Sequence, residues 1–275
     1  MVDDCSNDNS KNICNEFANK DKRIRVISNA KNIGSSLSRK TGLDISKGRF
    51  VQFIDSDDWV EKEMLQNLYT NVITKNYDLI MFDNFIFQNG FEFTIKQDFC
   101  SYDKITIIRK IISRKIRAFL FTKCISRELL LCSNFPEYSC SEDYYITIQN
   151  IHNAKNIGFL NEPLYHYRIN EVSLSNSKER TIKSRIEENF NWKNIIAYLK
   201  EKYIDLDVFD PELSNQINNM KTTYFFNNKL RAMKDLFELY PESYFMPKGL
   251  FKSLLKRCVP KWVKNILSRL WRNKT

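Results

Sequence analysis

The sequence predicts an α/β fold, a largely parallel sheet with helical crossovers, and three observations carry that expectation. Strand-like and helix-like periods alternate from Arg23 to Phe87. The strand-like runs are short and apolar, as in strands covered on both faces. A cluster of acids, "IDSDD" (54–58), follows directly on one such run, where open α/β sheets bind ligands beyond the carboxyl ends of their strands.

In chain order, "RIRVIS" (23–28) reads as a short strand, and "SSLSRKTGLDIS" (35–46) as a helix closed by Gly48. "RFVQFI" (49–54) reads as a buried strand, a helix runs from Val60 to Lys75, and "DLIMFDNFIF" (78–87) reads as the next strand. Further along, "ERTIKSRIEENFNWKNIIAYLKEKY" (179–203) and "NQINNMKTTYFFNNKLRAMKDLFELY" (215–240) are amphipathic, which predicts a helical region over 176–242.

Composition bounds the function classes. With 43% hydrophobic and 28% charged residues, and 6 Gly and 6 Pro among 275, the chain is globular, neither disordered nor loop-dominated. Its seven cysteines contain no C-x-x-C pair, which argues against a disulfide framework or a zinc site and fits a reducing cytosol. No apolar stretch approaches the roughly 18 residues of a spanning helix, and no export signal is read at "MVDDCSNDNS".

The net charge of +10 is local. Residues 243–275 hold nine of the 43 Lys and Arg and no acid, so the remaining 34 nearly balance the 33 Asp and Glu. This tail carries apolar pairs every four residues, with Pro260 dividing two helical stretches and lysines between, a pattern that suits an anionic membrane surface. The same stripe could instead pack on the main domain with its lysines in water. The 20 Phe and 13 Tyr are spread through the apparent core and no nucleic-acid motif appears, so no nucleic-acid partner is expected.

Asp55, Asp57 and Asp58 at a strand end repel one another and lose hydration, which is costly without a compensating cation, donors or water. Helix capping is one explanation: Asp58 as N-cap with Glu61 as its capping-box partner. Capping leaves Asp55 unexplained, whereas Mg²⁺ or Mn²⁺ bridging to a diphosphate employs all three.

The segment "NIGSSLSRKTGLDISKGRFVQFIDSDDWVEKEML" (32–65) resembles the central signature of the family 2 glycosyltransferases, with Asn32, Gly34, Arg39, Gly42, Gly48 and the D-x-D-D cluster in the family order. "VDDCSNDNSKNICNEFANKDKRIRVI" (2–27) is similar to the family's V-D-D-x-S segment, "FPEYSCSEDYYI" (135–146) to its acidic E-D segment and "EPLYHYRINEVSLS" (162–175) to its Y-x-Y-R segment. Lys40 stands where the family commonly has Asn.

The resemblance implies a GT-A domain over 1–175, the helical region 176–242 and the basic tail 243–275. It implies a nucleotide-diphosphate sugar donor such as a UDP-sugar, Mn²⁺ or Mg²⁺, and inverting transfer to a hydroxyl of a glycan or lipid-linked acceptor. That setting is cell-surface polysaccharide synthesis at the cytoplasmic face of the inner membrane. Carried over, Asp3 and Asp4 lie against the nucleotide base, Arg39 and Arg168 serve the donor, and Asp55, Asp57 and Asp58 hold metal and ribose. Asp143 is the base. The bland reading of Glu142 and Asp143 is a helix start capped by Ser141. The comparison also implies a sheet truncated at its N-terminus, since the family's first strand and helix precede the V-D-D segment. The alternative reading is an inactive remnant that binds membrane or partner through its tail. His166, between two tyrosines, reads as a packed residue rather than a ligand.

Overall fold

A computed structural model describes residues 1–169 and 182–202, all within a compact unit spanning Met1–Phe226. The predicted helix over 215–240 and the basic tail lie outside the described residues. In order the elements are β1 (Val2–Asp3), α1 (Ser10–Lys20), β2 (Ile27–Ser28), α2 (Gly34–Ile45), β3 (Phe50–Gln52), β4 (Trp59–Val60), α3 (Met64–Lys75), β5 (Leu79–Gln88) and β6 (Phe91–Ile95). There follow α4 (Lys104–Ile112), a 3₁₀ turn at Leu120–Thr122, β7 (Lys123–Ser126), α5 (Arg127–Leu131), α6 (Glu142–Asn153), β8 (Ile157–Arg168) and α7 (Ile182–Glu201).

Local chemistry sets most boundaries. The strand expected over 23–28 shrinks to Ile27–Ser28, because β1 offers only Val2 and Asp3 as parallel partners. Helix α2 stops at Ser46 rather than Gly48: Ser46 turns extended and its hydroxyl donates to Leu43 O at 2.7 Å. The helix expected over 60–75 divides, since Trp59 and Val60 pair with His166 and Tyr165 of β8 and α3 starts only after Glu63. The capping role considered for Asp58 therefore fails. In α3, Met64, Leu68 and Val72 recur every four residues and are buried. Asn89 and Gly90, at φ of 52° and 82°, make the tight turn joining β5 to β6, as an Asn-Gly pair favours. Asp103 caps α4 by accepting from Thr106 N at 2.8 Å.

The main sheet runs β3-β7-β5-β8-β4, with β6 hairpinned on β5, and β1-β2 forms a separate pair. The expectation of parallel strands holds only for β5 with β8 and β1 with β2; β3/β7, β5/β7, β4/β8 and β5/β6 are antiparallel. The reason is β7, which inserts between β3 and β5 running opposite to both; apolar periodicity does not encode direction. Helices cover both faces. Leu79 and Met81 of β5 join Ile107, Ile111, Ile146, Ile148, Trp192 and Ile195 on one side, while Ile80 and Phe82 meet Met64, Leu68 and Val72 on the other. This double burial makes β5 the rigid centre from which the ends of β3 and β8 reach the same crevice.

Candidate active site

The site assembles around one guanidinium. Arg39, on the second turn of α2, donates from Nη2 to Asp55 Oδ1 at 3.0 Å and from Nη1 to Glu142 Oε1 at 2.8 Å, and its Nη1 lies 3.5 Å from Asp143 Oδ1. Ser35, one turn earlier on the same face, donates to Glu142 Oε1 at 2.9 Å. Burial alone would lower the Arg39 pKa, but the carboxylates of Asp143, Asp55 and Glu142 hold it above its ordinary value. One cation thus ties the acids after β3 to the acids opening α6. Burial, reinforced by Asp143, pushes the Glu142 carboxyl up to about 7, and burial also raises Asp143.

Asp143 Oδ2 accepts from Leu120 N at 3.2 Å, while among the described residues Oδ1 accepts no hydrogen bond. Glu142 and Asp143 do occupy the first turn of α6, yet Ser141, at φ 63°, makes no side-chain cap. The loop before α6 is held by Asn191 of α7, which donates to Tyr138 O and Cys140 O. Burial raises the Cys140 thiol to about 11, so it remains protonated.

On the strand-end side, Tyr165 donates to Asp58 Oδ2 at 2.8 Å and accepts from Asp55 N at 3.0 Å. Arg168 N donates to Asp58 Oδ1 at 2.8 Å. Burial still raises Asp58 to about 6, a cost that two donors do not cancel. The Arg168 guanidinium lies over the Trp59 ring at 5.1 Å, and the residue is exposed. His166 is indeed packed: it stacks between Trp59 and Phe85, with Nδ1 2.7 Å from Glu92 Oε1 and Nε2 2.9 Å from Glu61 Oε1.

Asp4 closes the third side. Its oxygens accept from Ile33 N at 2.9 Å, Gly34 N at 2.8 Å and Asn29 Nδ2 at 2.9 Å, so it caps the start of α2 from a distance. Burial opposes its ionisation, but these donors together hold it below the ordinary carboxylate range. Gly34 adopts φ 83°, and a Cβ there would lie 2.4 Å from Ser139 Oγ, so glycine lets the loop before α6 approach α2. Asp3 is buried and accepts from Ser6 N at 3.3 Å. Lys40 pairs with Asp44 one turn on.

The donor set suits a hard cation of modest protein coordination. Asp55, whose Oδ1 accepts from Arg39, and the exposed Asp57 lie at the strand end, and both oxygens of Asp58 accept, from Tyr165 and from Arg168 N. Among the described residues no three His, Cys, Asp or Glu side chains converge on one point. Mg²⁺ or Mn²⁺ held by one or two carboxylates and completed by substrate phosphates and water fits that arrangement.

Arg39, Asp55, Glu142 and Asp143 come together although the sequence separates them by up to 104 positions, and Asp58 and Arg168 meet through a backbone N–H. Sequence reasoning assigned no role to Tyr165, Ser35 or Lys123, and gave Glu142 none beyond a helix start. The signal for Lys123 was a lysine inside the apolar run "FLFTKCIS" (119–126), where a strand face should exclude charge.

Comparisons with known proteins agree with this architecture. A family model, Glycosyl transferase family 2, matches residues 1–128. Over 186 residues the chain is 31% identical to the glycosyltransferase GlyA of Streptococcus pneumoniae, covering 64% of this chain but 27% of that protein. Over 189 residues it is 30% identical to the UDP-Glc:alpha-D-GlcNAc-diphosphoundecaprenol beta-1,3-glucosyltransferase WfgD of Escherichia coli, covering 66% of this chain and 70% of that protein. In structure it is similar to S. aureus TarS 1–349 in complex with UDP-GlcNAc, with a TM-score of 0.56, 21% identity, and 80% of this chain and 70% of that chain covered, a likeness of fold.

Proposed function

The chain belongs to glycosyltransferase family 2, and on that premise we propose that it transfers a sugar from a UDP-sugar to a glycan or lipid-linked hydroxyl, with inversion, in cell-surface polysaccharide synthesis. The observation that carries the reading is the Arg39 junction: a single buried cation sets a donor-side aspartate, Asp55, at a fixed relation to the acid pair Glu142 and Asp143. An inverting displacement requires two such separated acidic sites, one on each side of the reacting carbon.

In this mechanism Asp143 takes the proton from the acceptor hydroxyl as it attacks opposite the leaving diphosphate. Its elevated affinity for a proton improves it as a base. Leu120 N and Arg39 hold the carboxylate in place. Asp55 and Asp57 would hold Mg²⁺ or Mn²⁺, with Asp58 shaping their loop through Tyr165; such an ion when bound would neutralise charge developing on the diphosphate. Arg168 pairs with the same diphosphate from its seat on Trp59. Asp3 and Asp4 shape the nucleotide side, Asp4 by holding the entrance to α2. The tail over 243–275 brings the enzyme to the anionic cytoplasmic face of the membrane, where lipid-linked acceptors lie.

The test uses the purified full chain with a panel of UDP-sugars and lipid-linked or oligosaccharide acceptors. Acceptor-dependent UDP release should require Mg²⁺ or Mn²⁺, invert the anomeric configuration, and fall by roughly 10²–10⁴ in Asp143→Asn. Near wild-type transfer by that variant, or retention of configuration, refutes the reading. Vesicle sedimentation tests the tail: a chain lacking 243–275 should no longer pellet with anionic vesicles, and undiminished binding refutes the tail as the membrane anchor.

A further inference from the structure

Lys123, the first residue of β7, has no exposed surface. Its ammonium donates to Arg117 O at 2.8 Å, Phe119 O at 2.7 Å and Thr122 Oγ1 at 3.1 Å. An ammonium has three N–H groups, so this set is complete. All three acceptors belong to the short segment from Arg117 to Thr122, which wraps around the charge. Thr147 of α6 ties the same segment down by donating to Ala118 O at 2.7 Å.

That segment reaches both acidic sides of the site, one of them directly and the other through neighbours. Leu120 N donates to Asp143 Oδ2 at 3.2 Å. Phe121 O accepts from Gln52, three residues before Asp55, at 2.8 Å. The Phe121 ring stacks on Tyr165 at 4.4 Å, and Tyr165 in turn holds Asp55 N and Asp58. An apolar side chain at 123 would fill the strand face yet take from Arg117 O the ammonium that donates to it, leave Phe119 O to Thr122 alone, and remove a positive charge that acts on Asp143. A chain selecting only for core packing would have no reason to retain a lysine there.

We propose that Lys123 is a positioning residue for sugar transfer: its buried ammonium moulds residues 117–122 so that one segment registers the base Asp143 against the donor-side loop carrying Asp55 and Asp57. This rests on the reading of Asp143 as the base. Lys123 touches no substrate; its action passes through Leu120 N and through the Phe121–Tyr165 stack. The charge also matters. Burial lowers the Lys123 pKa to about 7, and the negative charge of Asp143 works against that fall, so the two buried groups favour each other's ionised form.

The experiment compares wild type, Lys123→Met and, as a core control remote from these bonds, Ile111→Val, all as full chains. Amide hydrogen exchange at Leu120 and steady-state transfer kinetics are read per folded molecule. Lys123→Met should speed exchange at Leu120 and lower kcat roughly tenfold to a hundredfold, with donor KM within about threefold of wild type. Ile111→Val should lose stability alone. A folded Lys123→Met with wild-type kcat overturns the proposal. If Lys123→Met does not fold, Lys123→Gln, whose shorter, uncharged side chain has two N–H groups for three acceptors, replaces it; wild-type kcat in that variant is equally fatal. A wild-type chain that transfers no sugar refutes the functional reading instead, and Leu120 exchange then decides the lysine's part, unchanged exchange overturning it.

Discussion

Glu142→Gln should make the protein more stable above neutral pH while leaving it nearly unchanged in acid. In the native chain the Glu142 side chain is only 8% exposed and accepts from Arg39 and Ser35. Burial first, then the charge of Asp143, outweighs those donors and moves its pKa from 4.5 to about 7. A raised carboxyl pKa means that the folded state binds the proton more tightly than the unfolded chain. The associated stability is fully present below about pH 4.5 and is lost as pH rises through about 7. That shift corresponds to roughly 3 kcal/mol. Glutamine keeps the shape and never ionises, so it escapes the loss. Urea unfolding followed by tryptophan fluorescence, at about pH 4.5 and about pH 8, measures it: the difference in stability between variant and wild type should move by roughly 3 kcal/mol in the variant's favour across that window. Any constant offset from altered hydrogen bonding cancels in the comparison. A difference that does not change with pH would refute the claim that Glu142 is strained by burial, and with it the picture of acids held against their solvation for a functional end.

Other substitutions probe the remaining walls of the site. Tyr165→Phe removes the hydroxyl that donates to Asp58 and accepts from Asp55 N, and should cost roughly 1–3 kcal/mol in urea unfolding; an unchanged midpoint would show that the hydroxyl is not needed there. Gly34→Ala forces φ 83° on a residue with a Cβ that meets Ser139, so thermal unfolding should reveal a loss of about 1–2 kcal/mol or more. Wild-type stability in that variant would mean that the α2 entrance yields freely. His166→Gln cannot reach both Glu61 and Glu92 across a ring and loses the stack on Trp59; a stability loss of roughly 1–3 kcal/mol is expected, and none would mean that the two glutamates hold their places by solvation alone.

The alternation of strand and helix up to Phe87 was largely legible in the residues, because burial periodicity is a local property. Leu43, or Met64, Leu68 and Val72, announce a buried helix face wherever the helix finally docks. The acid groups were legible too, since "IDSDD" and "SED" are contiguous and their cost is evident before any fold is known. Pairing was not. The direction of β7 between β3 and β5, and the capture of Trp59 and Val60 by β8, depend on partners up to 107 positions away in the chain. For the same reason the chain displays its charges without showing which compensates which. Tertiary structure alone brought Arg39 between Asp55, Glu142 and Asp143, gave Asp58 to Tyr165 rather than to a helix cap, and buried Lys123 beneath the proposed base. A side chain's ionisation energy depends on the dielectric and the charges within a few ångströms of it, and those neighbours exist only once distant segments have met.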